Sequence, residues 1–157
     1  MKKVLLSLFL VVAFMATTFA QLYIGATKKE VVNALKPNAK KIERPEKSSD
    51  GSYTIGVQFE DGYGTFSFTN ENICNYFIIG GKYTVDDFKS MCSGFDEKFS
   101  RVENTQRMIW QDYDLKFDEY IYYWVLVDHE NELFFLITIK QSDYEIYDKA
   151  LIKSILG

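Results

Sequence analysis

The chain has 157 residues, of which 18 are Lys or Arg and 22 are Asp or Glu, and its formal net charge is −4. This length suits one domain of ordinary size, or two small fused units. The acidic balance argues against nucleic acid and anionic membrane surfaces as partners. The charge is uneven, because residues 21–50 contain seven basic and four acidic side chains, whereas residues 96–148 contain five and thirteen. Solvated faces explain this distribution, although the second half could attract a basic partner.

The N-terminal segment predicts a secretory signal peptide over residues 1–20. It has two lysines, an apolar core at residues 4–15, and the sequence "TFA" with small residues at its first and third positions. The core is too short for a membrane-spanning helix and no stop-transfer charges follow it, so we expect no membrane span. We therefore expect an exported bacterial protein, periplasmic or secreted, whose mature chain begins at Gln21.

The first unit, residues 21–80, predicts a helix followed by three strands. Thr27 and Glu30 form a capping box, an apolar stripe follows them, and Pro37 ends the helix. After a polar loop, "YTIGVQF" alternates apolar with small or polar residues, as a strand with one buried face does. "EDGYG" predicts a hairpin turn. "TFSF" predicts the second strand, "TNEN" the next turn, and "ICNYFII" the third strand.

The second unit, residues 81–141, repeats this order. Thr84 and Asp87 open a helix whose apolar residues recur at three- and four-residue steps. These apolar residues are Val85, Phe88, Cys92, Phe95 and Phe99. Strands follow at "RMIWQ", "YIYYWVLV" and "ELFFLITI", and the turn "DHEN" begins 59 residues after "TNEN". We predict an α+β fold, made by tandem duplication of a helix plus a three-stranded antiparallel β-meander, with a C-terminal helix at residues 142–157.

The opening "IGATKKEVVNAL" and the repeated helix-meander plan together resemble known exported proteins. The Gly25-x-Thr27-x-x-Glu30-Val31 pattern is similar to the helix start of small proteins of the β-lactamase-inhibitor-protein type and of the related BamE-like fold. The resemblance implies a tandem α+β repeat whose sheet face binds another protein. No functional residue is transferred from it.

Cys74 and Cys92 are the only cysteines, and an exported protein meets an oxidising environment in which disulfides persist. The expected register turns Cys74 towards the helices, and Cys92 lies on the helix stripe that faces the sheet. A disulfide between them and a pair of buried thiols both stay open. Their spacing does not match a zinc or thioredoxin motif, and we predict no metal and no cofactor.

His129 is the only histidine, and it stands between Asp128 and Glu130. It aligns with Asn70 of the first unit, and Asn is typical of turns because it tolerates left-handed backbone angles. We therefore interpret His129 as a turn residue rather than a catalytic one, and we predict no catalytic residue.

The acidic segment "DYDLKFDE", residues 112–119, places carboxylates at alternating positions. Calcium loops use this spacing, but the glycine of their sharp turn is missing and Lys116 takes a ligand position. A solvated connection between strands is the simpler interpretation. A glycosidase-like pair of carboxylates stays open, because the separation of the two groups depends on the three-dimensional structure.

The second unit contains an aromatic anomaly. Its middle strand shows Tyr122, Trp124 and Leu126 on the face where the first unit has polar residues. We assign Phe134 and Leu136 of the next strand to this same outer side. A sheet that is apolar on both faces needs cover on both, or it presents a binding patch.

Two hypotheses explain this outer side. Either the C-terminal helix or the other half of the protein covers it, or Tyr122, Trp124 and Phe134 form a binding surface that Tyr113 and Phe117 rim. The leading functional hypothesis is an exported, non-enzymatic binding module whose partner is another protein or an envelope component. The alternatives are a small exported hydrolase that uses the acids of residues 112–119, and a structural or assembly role in the envelope.

Overall fold

The structure is a computed structural model that describes residues 23–103 and 107–144. The helices are α1 (Lys28–Leu35) and α2 (Val85–Lys98), and the backbone is again helical at residues 141–144. The strands are β1 (Lys41–Ile42), β2 (Glu46–Lys47), β3 (Tyr53–Gln58), β4 (Gly62–Phe68), β5 (Cys74–Lys82), β6 (Ser100–Arg101), β7 (Met108–Asp114), β8 (Glu119–Asp128) and β9 (Leu133–Lys140). The predicted signal peptide, and the predicted C-terminal helix from residue 145 onwards, lie outside the described residues.

The strands form one open sheet in the order β1-β3-β4-β5-β9-β8-β7-β6, with β2 also paired to β3. β3, β4 and β5 form an antiparallel meander in the first half, and β7, β8 and β9 form another in the second half. The two meanders join where β5 pairs with β9. The α+β class and the antiparallel meanders are therefore confirmed, and the sheet is continuous.

The capping box that opens α1 is confirmed. The side-chain oxygen of Thr27 accepts a hydrogen bond from the backbone N–H of Glu30 at 3.4 Å, and the Glu30 carboxylate accepts one from the N–H of Thr27 at 2.8 Å. These bonds satisfy two of the backbone donors that every helix leaves unpaired at its start. The helix then buries Val31 and Leu35 against the sheet.

The second helix, α2, begins after Thr84, whose side chain accepts a hydrogen bond from the N–H of Asp87. Its buried residues are Met91 and Phe95, whereas Val85 is 63% exposed. The predicted apolar stripe is therefore wrong at Val85. Its other members pack against the core, where Phe95 is buried and Phe88, Cys92 and Phe99 are partly buried. Val85 is the first residue of the helix, and its side chain points to solvent before the helix reaches the packed part of the sheet.

Both helices cover the same face of the sheet, and the main core lies between the helices and that face. Its residues from the helices and the strands include Val31, Leu35, Ile55, Val57, Phe66, Phe77, Met91, Phe95, Tyr123 and Val125. Aromatic contacts and one side-chain hydrogen bond order the second half of this core. Phe99 stacks on Tyr123 with ring centroids 4.4 Å apart, and the Trp110 indole N–H donates to Asp96 at 2.7 Å.

A β-bulge alters the alternation of side chains in β5. The β4–β5 register shifts between Ser67 and Phe68, which leaves Asn75 as an extra residue between the paired Cys74 and Tyr76. Cys74 consequently lies in the main core, as predicted, but Tyr76 packs on the opposite face. An extra residue of this kind reverses the faces that later residues of a strand occupy.

The bulge explains why the predicted face of Phe134 and Leu136 is wrong, because that face was assigned by aligning β9 with β5 at an offset of 59 residues and assuming unbroken alternation in β5. These residues pair with Val127 and Val125 of β8, and cross-strand partners share a face. Phe134 and Leu136 are therefore buried in the main core beneath the helices, at 3% and 2% exposure. The residues of β9 buried on the opposite face, which we name the second face, are Ile137 and Ile139.

Candidate functional site

On the second face of the sheet, Trp124 is covered by other residues and is only 1% exposed. The ring of Tyr144 lies 5.5 Å from that of Trp124 and 5.2 Å from that of Tyr122. The Arg107 guanidinium lies 5.1 Å from the Trp124 ring and donates to the Tyr144 hydroxyl at 2.7 Å. Tyr144 belongs to the helical turn at residues 141–144. This geometry supports cover by the start of the predicted C-terminal helix, and it makes Trp124 inaccessible to a partner.

Phe117 lies in the β7–β8 turn but packs towards the first half of the chain. Its ring fills the space beside Gly25, whose φ of +76° is in the left-handed region. The Lys140 and Lys116 ammonium groups lie 4.1 Å and 5.0 Å from the centre of the same ring. Gly25 in turn donates its N–H to the carbonyl of Cys74 at 2.7 Å. Phe117 is therefore a half-buried anchor that fixes the turn against the segment preceding α1.

The exposed part of the same hairpin is aromatic and acidic. Tyr113 and Tyr120 are 43% and 36% exposed, and their rings form an edge-to-face pair with centroids 5.2 Å apart. Leu115, at the tip, is 89% exposed. Cross-strand pairing puts Asp112 and Asp114 on the side of the hairpin that carries Ile121, opposite to the two tyrosines. We name the side chains of both sides, the two tyrosines and the two carboxylates, together with Leu115 at the tip, the hairpin surface. Of the five residues predicted to bind a partner, only Tyr113 belongs to it.

Hydrogen bonds within the hairpin hold its polar groups in place. The Tyr113 hydroxyl donates to the Asp118 carboxylate, and this bond, aided by desolvation, raises the pKa of Tyr113 above its ordinary value. The Asp114 carboxylate accepts the N–H of Lys116 at 2.8 Å. Asp118 has a φ of +57°, a left-handed angle that Asp adopts more readily than most residues. The tyrosine hydroxyl and the turn backbone are therefore ordered before any partner arrives.

A groove of about 450 Å³ lies beside the hairpin surface. Its walls are formed by Glu97, Lys98, Phe99, Ser100, Gln111, Asp112, Tyr113 and Tyr120. The β6–β7 ladder ends where Ser100 pairs with Gln111, and the preceding chain turns away into α2. The groove opens at this divergence. Tyr120 was not among the predicted binding residues, although the hairpin register places Tyr113 and Tyr120 directly opposite each other.

Glu119, the last acid of the predicted acidic segment, has a separate set of local partners. The Glu119 carboxylate accepts the N–H of Ser142 at 3.0 Å and lies 3.7 Å from the Lys140 ammonium. Burial would raise the pKa of Glu119, but the hydrogen bonds from Ser142 and the charge of Lys140 hold it below its ordinary value. Among residues 23–103 and 107–144, no group of three or more His, Cys, Asp or Glu side chains is placed to hold a metal ion.

His129 lies in the β8–β9 turn, as predicted, and its Nδ1 atom is 3.1 Å from the Tyr83 hydroxyl. The reason given for the turn assignment is wrong, however. The left-handed residue of this turn is Glu132, with a φ of +54°, and that of the β4–β5 turn is Asn72, with a φ of +65°. Both turns place the left-handed angle near their last residue, so neither His129 nor Asn70 adopts it.

Both cysteines are free thiols in the structure. Cys74 is fully buried, and this burial raises the pKa of its thiol to about 12. Burial also raises the pKa of the half-buried Cys92, and the nearby Asp96 adds to the effect while Arg101 opposes it. Of the two arrangements that the sequence left open, the structure contains two thiols. Both are poor nucleophiles near neutral pH, because the thiolate is the reactive form.

The hairpin surface combines two partly exposed tyrosines with an adjacent groove. Neither described helix has the length and hydropathy that a membrane-spanning helix requires. Comparison of the chain with protein-family models, with curated protein sequences and with solved structures finds no match.

Proposed function

We propose that this protein is an exported, non-enzymatic interaction module that binds another protein through the hairpin surface. The observation that carries the proposal is the Tyr113–Tyr120 pair, two partly exposed rings held edge to face beside a groove of about 450 Å³. Tyrosine is enriched in protein interfaces because its ring offers a large apolar area and its hydroxyl a polar contact. Aromatic residues beside a pocket are also typical positions of high binding energy.

The rigidity of the hairpin supports the same proposal. Phe117 anchors the turn beside Gly25, and the Tyr113 hydroxyl is bonded to Asp118. Side chains that are already ordered lose less conformational entropy when a partner binds. Leu115, at the tip of the hairpin, is exposed to water, so its apolar side chain is available for contact with a partner.

We also propose that the two halves arose by tandem duplication, and that the resemblance to the β-lactamase-inhibitor-protein and BamE-like group concerns this architecture. Support comes from the register at the centre of the sheet. Ile78 pairs with Ile137, and these residues are separated by the same 59 positions as the two turns. Thr65 pairs with Ile78 as Trp124 pairs with Ile137. A pseudo-two-fold axis between β5 and β9 would produce these pairings.

The test of the binding surface compares two variants. Replacing both Tyr113 and Tyr120 with Ala removes the aromatic pair, whereas Tyr63→Ala removes a tyrosine that is 45% exposed in the first half and bonded to Glu43. Affinity capture from the native envelope and culture medium, followed by titration of the captured protein, measures the effect. We expect the double variant to weaken binding by roughly 10- to 100-fold, and Tyr63→Ala to leave it unchanged.

Circular dichroism and urea unfolding of both variants establish that the fold is retained. Equal binding by the wild-type chain and the Tyr113/Tyr120 double variant would contradict the proposal. A loss of binding in Tyr63→Ala alone would place the binding surface in the first half instead.

A further inference from the structure

A second concave surface lies on α1, in the first half of the chain. Its volume is about 540 Å³, and Lys28, Lys29 and Lys36 line it together with Val32 and Asn72. We name this surface the lysine groove. Lys28, Val32 and Lys36 follow one another at four-residue steps, which places them along one side of the helix.

The three lysines form no ion pair with any residue in the described ranges. In contrast, Lys40, Lys41 and Lys140 each lie within 4 Å of a carboxylate. One wall of the groove is nevertheless ordered, because the Lys28 ammonium lies 5.2 Å from the centre of the Tyr53 ring and the Tyr53 hydroxyl donates to Asn72 at 2.9 Å. The groove thus presents positive charge without an internal counter-charge.

The hairpin surface has the complementary chemistry. Residues 112–119 contain four acids and one lysine, whereas residues 28–36 contain three lysines and one acid. Leu115 is 89% exposed, so the hairpin does not insert its tip into the groove of its own chain. Val32 and the aliphatic stems of the lysines offer an apolar contact that matches this leucine.

The two surfaces lie at the same end of the molecule. Phe117, in the hairpin turn, packs beside Gly25, and α1 begins at Lys28. A two-fold rotation can therefore bring the hairpin of each copy to the lysine groove of the other. Such a reciprocal arrangement closes on itself and doubles the contact area, which matters because stable interfaces bury about 800 Å² on each partner.

We propose that the lysine groove binds the hairpin surface of a second copy of this chain, forming a reciprocal two-fold dimer in solution. The inference rests on the proposed function, because it takes the hairpin surface as a protein-binding surface and identifies its partner. The contact is electrostatic at its rim, so added salt weakens it.

Sedimentation velocity of the purified chain from about 1 to about 200 µM measures the dimer. We expect a reversible monomer–dimer equilibrium that weakens as NaCl rises from about 0.05 to about 0.5 M. A groove variant, with Lys28→Glu and Lys36→Glu, and a hairpin variant, with Asp112→Lys and Asp114→Lys, each weaken the dimer at least roughly tenfold.

Mixing the two variants provides the decisive measurement. In the mixed dimer both reciprocal contacts again join opposite charges, so we expect dimers to return to the wild-type level. The matched control replaces Lys40 and Lys41 with Glu, because these lysines already pair with Glu60 and Glu43 at 2.8 Å and 3.3 Å. We expect this control to dimerise like the wild-type chain, and circular dichroism verifies that every variant is folded.

The outcomes separate this inference from the proposed function. A chain that stays monomeric at every concentration, or a mixture that does not restore the dimer, overturns the dimer. A dimer that the Lys40/Lys41 control weakens as much as the groove variant does also overturns it. If the dimer is absent but the Tyr113/Tyr120 double variant loses a captured protein, the proposed function stands alone.

Discussion

The two halves share the order of helix and meander, yet they use the second face of the sheet differently. Thr65 in the first half and Trp124 in the second occupy matching positions, since Thr65 pairs with Ile78 and Trp124 with Ile137. Thr65 needs no cover, whereas Trp124 is fully buried beneath Tyr144. The comparison shows that the second face of the first half is apolar only in β5, where Tyr76 and Ile78 join the cluster around Trp124. The second half depends on an additional layer.

The two halves also differ in the turn that joins the first two strands of each meander. The β3–β4 turn is short, and its Phe59 is 9% exposed within the main core. The β7–β8 turn extends further and leaves Leu115 in solvent. Its Phe117 packs beside Gly25 in the other half of the chain. The longer hairpin therefore both connects the halves and presents the surface that we propose for binding.

The largest expected difference between the halves concerns Trp124 and Thr65. Trp124→Ala leaves a large cavity between β8 and the layer that contains Tyr144, and we expect a loss of about 3–5 kcal/mol in the free energy of unfolding. Thr65→Ala changes a side chain that needs no cover, and we expect a loss below about 1 kcal/mol. Urea unfolding followed by circular dichroism measures both values.

Tyr144→Ala serves as a control, because it removes part of the cover while the tryptophan remains. A loss intermediate between those of Trp124→Ala and Thr65→Ala is expected. If Trp124→Ala were as mild as Thr65→Ala, the second layer would contribute nothing to stability and the difference between the halves would disappear.

Local chemistry made much of the fold predictable. The Thr27–Glu30 capping box needs only residues three apart, and the alternation from Tyr53 to Phe59 follows from the two-residue period of a strand. The paired meanders follow from the repeated order of cap, helix and turn. For the capping box and the strand, the determining interactions lie within a few residues of one another along the chain.

The parts that could not be predicted depend on contacts between distant segments. The bulge at Asn75 has no signature in the sequence, and it reversed the faces predicted for Phe134 and Leu136. The burial of Trp124 depends on Tyr144, twenty positions later in the chain. For the candidate site, Tyr113 was predicted but the groove was not, since its walls come from α2, β6, β7 and β8.

The contact between Phe117 and Gly25, which joins the two halves, predicts a second and smaller effect on stability. Gly25 has a left-handed φ, and a Cβ atom there would overlap the Phe117 ring, so we expect Gly25→Ala to lose about 2–3 kcal/mol. Gly51→Ala is the matched control. Gly51 has a φ of +86°, but a Cβ there would meet only Asn70, at 3.4 Å, so only the backbone strain of about 1–2 kcal/mol applies.

A double-mutant cycle separates the two causes at Gly25. In a Phe117→Ala background the steric overlap is gone, and Gly25→Ala should then cost about as much as Gly51→Ala does, about 1–2 kcal/mol. Thermal or urea unfolding of the four proteins gives the coupling. A coupling of zero would show that Phe117 does not hold the hairpin against the first half.

The smallest expected effect on stability concerns two carboxylates, one near each hairpin. Glu60 pairs with Lys40 at 2.8 Å, but the two side chains are 65% and 51% exposed, so Glu60→Gln should change stability by less than about 0.5 kcal/mol. Glu119 is 21% exposed and also accepts the N–H of Ser142. Glu119→Gln should therefore lose about 1 kcal/mol at pH 7.

The pH dependence of this difference follows from the pKa of Glu119, which lies below its ordinary value of 4.5. A carboxylate whose pKa is lowered by folding stabilises the folded state above its unfolded pKa, and this contribution disappears as pH falls through the folded pKa. In unfolding curves from pH 7 down to about 3, the wild-type chain and Glu119→Gln should draw together as pH falls below 4.5, and they should meet only below the folded pKa of Glu119. A difference that stays constant across this range would mean that the neutral acid satisfies Ser142 equally well, and the charge of Glu119 would then contribute nothing at this hairpin.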